Sequence, residues 1–341
     1  MLAHIEGLPT QLEAAWDMGG TLPLPHWEGI QRVVIAGMGG SAIGADLVSA
    51  AVMEACPAPL IVHRDYSLPA FASGPGTLVI CSSHSGNTEE TLDSFDTALE
   101  RGCHTLALCT GGRLAEKARA AGVPLWQFAH KGQPRTAVGF SFGLLLSVLC
   151  RLGLSPDASA EVREAVEAMK FQQETLHAAT PVVQNPAKRL AGQLIGRWVT
   201  VFGAGLLAPV ARRWKGQINE VAKAGANFEF IPEADHNTLA GLQHPEATLT
   251  AHTMTLFLLA PCDHPRHRLR LDMTRQAYML EGLNVDGYTA QGHSPLENMW
   301  TALHFGDYVA YYLAMAYRVD PTPVKALENF KRALRERGEA L

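Results

Sequence analysis

The sequence carries no surplus of positive charge, few cysteines and no long apolar run, and each absence removes a class of function. Its 341 residues hold 28 Lys and Arg against 33 Asp and Glu, a formal charge of −5. A chain of that sign does not bind polyanions by bulk charge, and it shows neither a basic stripe nor a helix-turn-helix pattern, so no nucleic-acid partner is expected. The six cysteines (Cys56, Cys81, Cys103, Cys109, Cys150 and Cys262) form no Cys-x-x-Cys pair. They read as reduced thiols rather than a disulfide framework or a zinc site.

The longest low-polarity run near the middle, Ala137 to Cys150, has 14 residues and includes two serines. That falls short of the roughly 18 apolar residues of a bilayer span. The opening Met-Leu-Ala-His-Ile-Glu places an acid where a signal peptide has a basic and then an apolar stretch. The expectation is a soluble, cytoplasmic protein with no membrane partner.

What is present is material for burial. With 47% hydrophobic and 18% charged residues, the chain is globular rather than disordered, and at about 150 residues per domain it suggests two domains. Two segments share one pattern: Arg32-Val-Val-Ile-Ala-Gly37-Met-Gly-Gly-Ser41 and Arg197-Trp-Val-Thr-Val-Phe-Gly203-Ala-Gly205-Leu. Each is a β-rich apolar run, a glycine turn and a helix-compatible stretch, and the 165-residue offset between Val33 and Trp198 is a domain length rather than a solenoid repeat.

Strands are expected at 59–63, 77–82, 104–109 and 124–128, separated by helical patterns such as 88–101 and 114–121. That alternation implies crossover units and a mainly parallel sheet flanked by helices, an α/β fold. The second half repeats it with strands at 198–202, 227–231, 249–259 and 287–290, and closes with helices over 295–318 and 323–337. The expected division is an N-terminal domain over 1–154, a helical connection over 155–191 and a C-terminal domain over 192–341.

Two strand ends carry the candidate chemistry. Gly37-Met-Gly39-Gly40-Ser41-Ala42-Ile-Gly44 lets backbone N–H groups approach an anion at a helix N-terminus. It also satisfies a dinucleotide fingerprint, with Asp65 about 20 residues on, and it suits a plain tight turn. The next candidate, Cys81-Ser82-Ser83-His84-Ser85-Gly86-Asn87-Thr88-Glu89, is dense in hydroxyls. Ser83, Ser85 and Thr88 can each donate to one phosphate, whereas a helix cap needs fewer hydroxyls and a dinucleotide fold needs no second cradle.

Gly-Met-Gly-Gly-Ser followed by Ser-x-Ser-Gly-Asn-Thr-x-Glu-Thr resembles a sugar isomerase (SIS) domain. Further motifs narrow the resemblance to the bifunctional phosphoglucose/phosphomannose isomerase family. These are Pro134-Arg135, Trp214-Lys-Gly-Gln217-Ile-Asn-Glu220-Val-Ala-Lys223, Ile231-Pro-Glu-Ala-Asp-His236-Asn237, and Asp320-Pro-Thr-Pro-Val324 leading to Lys331. They run in order across about residues 33 to 331.

The resemblance implies two tandem SIS domains, a 6-phosphate held by Gly40, Ser41, Ser83, Ser85 and Thr88, and aldose–ketose isomerisation of hexose 6-phosphates through a cis-enediol, with no metal and no cofactor. Such a reaction needs a base to carry a proton between C1 and C2, and partial burial suits a carboxylate to it. Glu220, between the apolar Ile218 and Val221, fits, though a surface Glu paired with Lys223 would show the same local sequence. Arg135 fits the stabiliser of developing enediolate charge. His236, whose imidazole can both give and take a proton, and Lys331, with Lys325 as a competitor, fit ring opening. The resemblance further implies a homodimer in which His236 crosses to the neighbouring site. His84 stands where the family often has Tyr, which bears on substrate preference more than on reaction type.

Three other functions use part of this pattern. A nicotinamide dehydrogenase would use Gly37, Gly39, Ala42 and Asp65 but leaves the serines and Glu220 without a role. A catalytically silent sugar-phosphate sensor would need only the cradle. A metal-dependent phosphomannose isomerase would need more than His264-Pro-Arg-His267.

Overall fold

The computed structural model describes residues 1–338; the last three residues of the expected C-terminal domain, 339–341, lie outside the described residues. The chain begins with two helices, α1 (Leu2–Glu6) and α2 (Leu8–Thr21). The first sheet then follows in β1 (Arg32–Ala36), α3 (Gly39–Val52), β2 (Leu60–His63), β3 (Thr77–Ser83), α4 (Glu89–Glu100), β4 (His104–Cys109), α5 (Gly112–Ala120) and β5 (Leu125–Gln127). Helices α6 (Val138–Arg151), α7 (Ser159–Leu176) and α8 (Pro186–Gln193) lead to the second sheet. That sheet is built from β6 (Trp198–Ala204), α9 (Ala208–Glu220), β7 (Ala226–Ile231), α10 (Glu246–His252), β8 (Thr253–Leu259), α11 (Pro265–Leu280) and β9 (Val285–Thr289). Helices α12 (Pro295–Ala316) and α13 (Lys325–Gly338) end the described chain.

Both sheets are wholly parallel, ordered β2-β1-β3-β4-β5 and β7-β6-β8-β9. Helices cover their faces, so the inner strands are buried on both sides and read as continuous apolar runs. Val33, Val34 and Ile35 of β1 and Leu78, Val79 and Ile80 of β3 are fully buried. In each sheet the order reverses beside the first strand, between β1 and β3 and between β6 and β8. Ligands of open α/β sheets bind at such points, outside the carboxyl ends of the strands.

The largest apolar core is continuous through both halves, from Ile5 to Ala314, with smaller clusters on the outer face of each sheet. Helix α12 lies at its centre. Ser294 and Glu297 form a capping box at its start, the motif that satisfies two orphan amides, and Trp300 packs edge-on against Phe142 of α6. Helix α7, expected within a connection, packs along both α2 and α12.

One expected boundary is corrected. The strand expected over 249–259 begins only at Thr253, because Leu249 belongs to α10. The His264–His267 segment opens α11, and the His264 Nδ1 caps it by accepting the Arg266 amide at 3.1 Å. Helices α1 and α2 carried no clear periodic signal; Pro9 and the Gly19–Gly20 pair interrupt the pattern, although Leu8, Leu12 and Ala15 are buried. Among the described residues no helix is long and apolar enough to cross a membrane.

Candidate active site

The β1–α3 turn and the β3–α4 loop meet at the reversal point of the first sheet. Gly37 is required there because a Cβ would stand 2.6 Å from the Ser82 carbonyl oxygen. Ser41, in the first turn of α3, accepts the His84 amide at 3.1 Å through Oγ. Ser83 Oγ lies 2.9 Å from Thr88 Oγ1 and accepts the Gly86 amide at 3.1 Å, and Ser85 Oγ accepts the Asn87 amide at 3.2 Å. Thr88 stands at the N-cap of α4 but makes no side-chain cap hydrogen bond. The hydroxyls are therefore engaged within the loop, leaving the amide end of α4 as an anion-favouring terminus.

Gly86 (φ +68°) closes this loop, and a Cβ on it would lie 1.8 Å from the Gly111 carbonyl oxygen. The His84 carbonyl is held from the other side by the Thr110 hydroxyl at 2.7 Å and the Thr110 amide at 3.0 Å. Gly40 makes a different approach: a Cβ there would stand 2.6 Å from the Pro134 oxygen and 2.9 Å from the Arg135 nitrogen. The missing side chain brings the Arg135 turn directly onto the hydroxyl loops.

Arg135 sits in a single 3₁₀ turn, Pro134–Thr136, and is buried. Its Nη1 lies 3.4 Å from Glu220 Oε2, and its Nη2 donates to the carbonyls of Pro321 and Thr322. Its Nε is buried without a hydrogen-bond partner among the described residues. Burial presses the guanidinium below its ordinary proton affinity, and the Glu220 charge partly offsets this. Glu220 is the last residue of α9, flanked by buried Ile218 and Val221, and its side chain is one-third exposed. Lys223, in the left-handed region at φ +57°, donates to the Glu220 carbonyl. The carboxylate thus faces Arg135 rather than Lys223.

The other expected residues are not gathered here. His236 ends the short 3₁₀ turn Glu233–His236 and is exposed. Its neighbours fix the loop: Asp235 pairs with Arg270 at 2.7 Å and accepts the Thr274 hydroxyl at 2.8 Å, and Asn237 donates to Glu233 at 2.8 Å. No hydrogen bond or ion pair joins His236 to Glu220 or Arg135 among the described residues. Lys331 and Lys325 lie on the exposed helix α13.

Several groups escaped the sequence reading. His84 Nε2 lies 2.9 Å from His130 Nδ1, which joins the hydroxyl loop to the loop carrying Arg135. Burial and His130 hold the His84 imidazole down to about 4, so it is neutral near pH 7. Beneath Arg135, the Arg213 Nη2 donates to the Arg135 carbonyl at 3.2 Å and pairs with buried Asp307. Asp307 did carry a signal: it is the only charged residue between Asn298 and Ala316.

A family model for the bacterial phospho-glucose isomerase C-terminal SIS domain matches residues 183–334. The chain is 37% identical to the bifunctional phosphoglucose/phosphomannose isomerase of Caldicellulosiruptor bescii, over 98% of this chain and 99% of that protein. It belongs to the bifunctional phosphoglucose/phosphomannose isomerase family. The protein of the same description from Aquifex aeolicus is 34% identical, over 91% of this chain and 95% of its own. Among solved structures, a hypothetical protein from Thermus thermophilus superposes with a TM-score of 0.76 at 17% identity, covering 98% of this chain and 89% of that one. That likeness extends to the fold. In this family member the turn that carries Arg135 abuts the glycine loop at Gly40, and the guanidinium of Arg135 faces Glu220.

Proposed function

We propose that this chain interconverts fructose 6-phosphate with glucose 6-phosphate and mannose 6-phosphate by moving a proton between C1 and C2 through a cis-enediol. The observation that carries the reading is the 3.4 Å approach of Arg135 to Glu220 beside a hydroxyl loop at a helix N-terminus. The 6-phosphate is assigned to Gly40, Ser41, Ser83, Ser85 and Thr88, where amides and hydroxyls supply donors without a fixed cation. The sugar then extends toward Arg135, whose turn abuts Gly40.

Glu220 takes the proton from one carbon and returns it to the next. Arg135 supplies the positive charge that the enediolate oxygens require as they develop charge, so no step is routed through a metal or a cofactor. Its guanidinium is held by backbone carbonyls and needs little reorganisation during the reaction. Both epimers at C2 are accepted when the intermediate can rotate about C2–C3 before the proton returns.

Ring opening is assigned to His236 and Lys331, with His236 supplied by the second subunit of a homodimer. Two features support a partner copy. The His236 loop is pinned yet exposed, and α13 leaves Leu327, Phe330 and Leu334 exposed at helical spacing.

The test is incubation with fructose 6-phosphate in EDTA, followed by separate quantification of glucose 6-phosphate and mannose 6-phosphate. Formation of both is the expected result. Binding of the sugar phosphate with neither product formed would instead indicate a silent sensor.

A further inference from the structure

We propose that Asp307 of α12 is a positioning residue that sets the distance between Arg135 and Glu220. The inference rests on reading those two residues as the reacting pair. Asp307 is 3% exposed, and among the described residues its side-chain hydrogen-bond partners, Arg213 and Gln217, both lie on α9. Arg213 donates to it twice, from Nε at 3.1 Å and from Nη2 at 2.6 Å, and Gln217 Nε2 donates at 2.9 Å. Arg213, Gln217 and Glu220 are spaced four and then three residues apart, which places them along one face of α9. The carboxylate therefore grips the helix that ends in Glu220 at two points, one and two turns before the base.

The same Arg213 Nη2 donates to the Arg135 backbone carbonyl at 3.2 Å. One buried carboxylate thus fixes both sides of the 3.4 Å approach: the base through its helix, and the guanidinium through the backbone of its turn. The crossing of α9 and α12 is equally constrained. Trp214 Nε1 donates to the Ala302 carbonyl at 2.9 Å, and a Cβ on Gly306 would come within 2.1 Å of that nitrogen.

Stability is a poor account of this arrangement, because a buried ion pair usually gains little over apolar side chains of the same volume. A buried carboxylate with three directional donors does what apolar packing does not: it sets the rotation and depth of a helix. Errors of about 1 Å in the placement of a reacting group cost on the order of 100-fold in rate.

The experiment measures kcat, KM for fructose 6-phosphate and competitive inhibition by inorganic phosphate in the full chain and in Asp307→Asn, Gln217→Met and Glu220→Gln. Asp307→Asn keeps the volume and removes the charge facing Arg213. It is expected to lower kcat by about 10-fold or more while KM and phosphate inhibition stay within about 2-fold, since the hydroxyl loops do not touch it. Gln217→Met removes one grip only and is expected to lower kcat by about 3-fold in the same pattern. A folded Asp307→Asn with unchanged kcat overturns the inference, and so does a parallel loss of kcat and phosphate affinity. If Asp307→Asn does not fold, Gln217→Met decides by the same two criteria. Turnover retained in Glu220→Gln would instead sink the reading of the site itself, whereas an inactive Glu220→Gln beside a fully active Asp307→Asn sinks this inference alone.

Discussion

The guanidinium of Arg135 lies 3.4 Å from the carboxylate of Glu220, a residue 85 positions further along the chain. One comes from the turn after the first sheet and the other from the end of a helix packed on the second. A carboxylate in the last turn of a helix meets the negative end of the macrodipole, so local structure does not favour it there. The positive charge of Arg135 offsets that cost, and in the proposed reaction it serves the developing enediolate.

Replacing Glu220 by Gln keeps the shape and removes the proposed base. Turnover of fructose 6-phosphate is expected to fall by about 1,000-fold or more. Calorimetric binding of the sugar phosphate should remain close to that of the unaltered chain.

Arg135→Ala should lower kcat by about 100-fold or more, the usual cost of a donor to a developing oxyanion. Arg135→Lys is expected to recover little. A lysine ammonium cannot both face Glu220 and reach the Pro321 and Thr322 carbonyls in the fork geometry of a guanidinium. Steady-state kinetics of the two variants side by side makes the comparison.

The hydroxyl loop separates binding from folding. Ser83→Ala should raise KM for the sugar phosphate by about 10-fold, with a smaller change in kcat, because one charge-assisted hydrogen bond is lost. Gly86→Ala should instead destabilise the protein by about 3 kcal/mol or more, since a Cβ meets the Gly111 carbonyl at a positive φ. Denaturant unfolding should register the second change in full and the first at only about 1 kcal/mol, the cost of the bonds that the Ser83 hydroxyl makes to Gly86 and Thr88.

If His236 crosses a dimer interface, two inactive variants can repair each other. Glu220→Gln and His236→Ala, unfolded together and refolded as a mixture, should regain about a quarter of the original activity through mixed dimers with one complete site. No recovery, with mixed dimers shown by native mass spectrometry, would place His236 in its own subunit's site.

His304 is fully buried on α12, and its Nε2 donates to the Ile5 carbonyl at 2.8 Å. Burial depresses its folded value from an ordinary 6.5 to about 4, with the Ile5 hydrogen bond acting in the opposite sense. Between these values the unfolded chain binds more protons than the folded one, so stability falls as pH drops from 6.5 to 4. The contribution is about 3 kcal/mol at most. Denaturant unfolding at pH 7 and pH 4.5 should show the unaltered chain losing about 2 kcal/mol more than His304→Gln across that interval.

Much of this protein is legible without coordinates. The buried parallel strands show as short apolar runs, since both their faces are covered, and the glycine turns and hydroxyl loop are local in the chain. Hence the α/β class follows from order and spacing, and the resemblance of the motifs to the family singles out Arg135, Glu220 and His236 as candidates. The helices α1 and α2 did not, because the burial of α2 depends on α6 and α7, and that of α1 on α12, rather than on a strong period of their own. The strand start at Thr253 was blurred because apolar Leu249 continues the run backward into α10.

What sequence alone determined is the set of chemical groups and the local shapes that hold them. Only the tertiary structure decided which groups meet. It turned Glu220 toward Arg135 rather than Lys223, joined His84 to His130, and seated Asp307 under both sides of the site. Those meetings depend on how two helices cross and how closely two backbones approach, at Gly40 and at Gly306. Such distances are set by packing between residues far apart in the chain, and no local pattern encodes them.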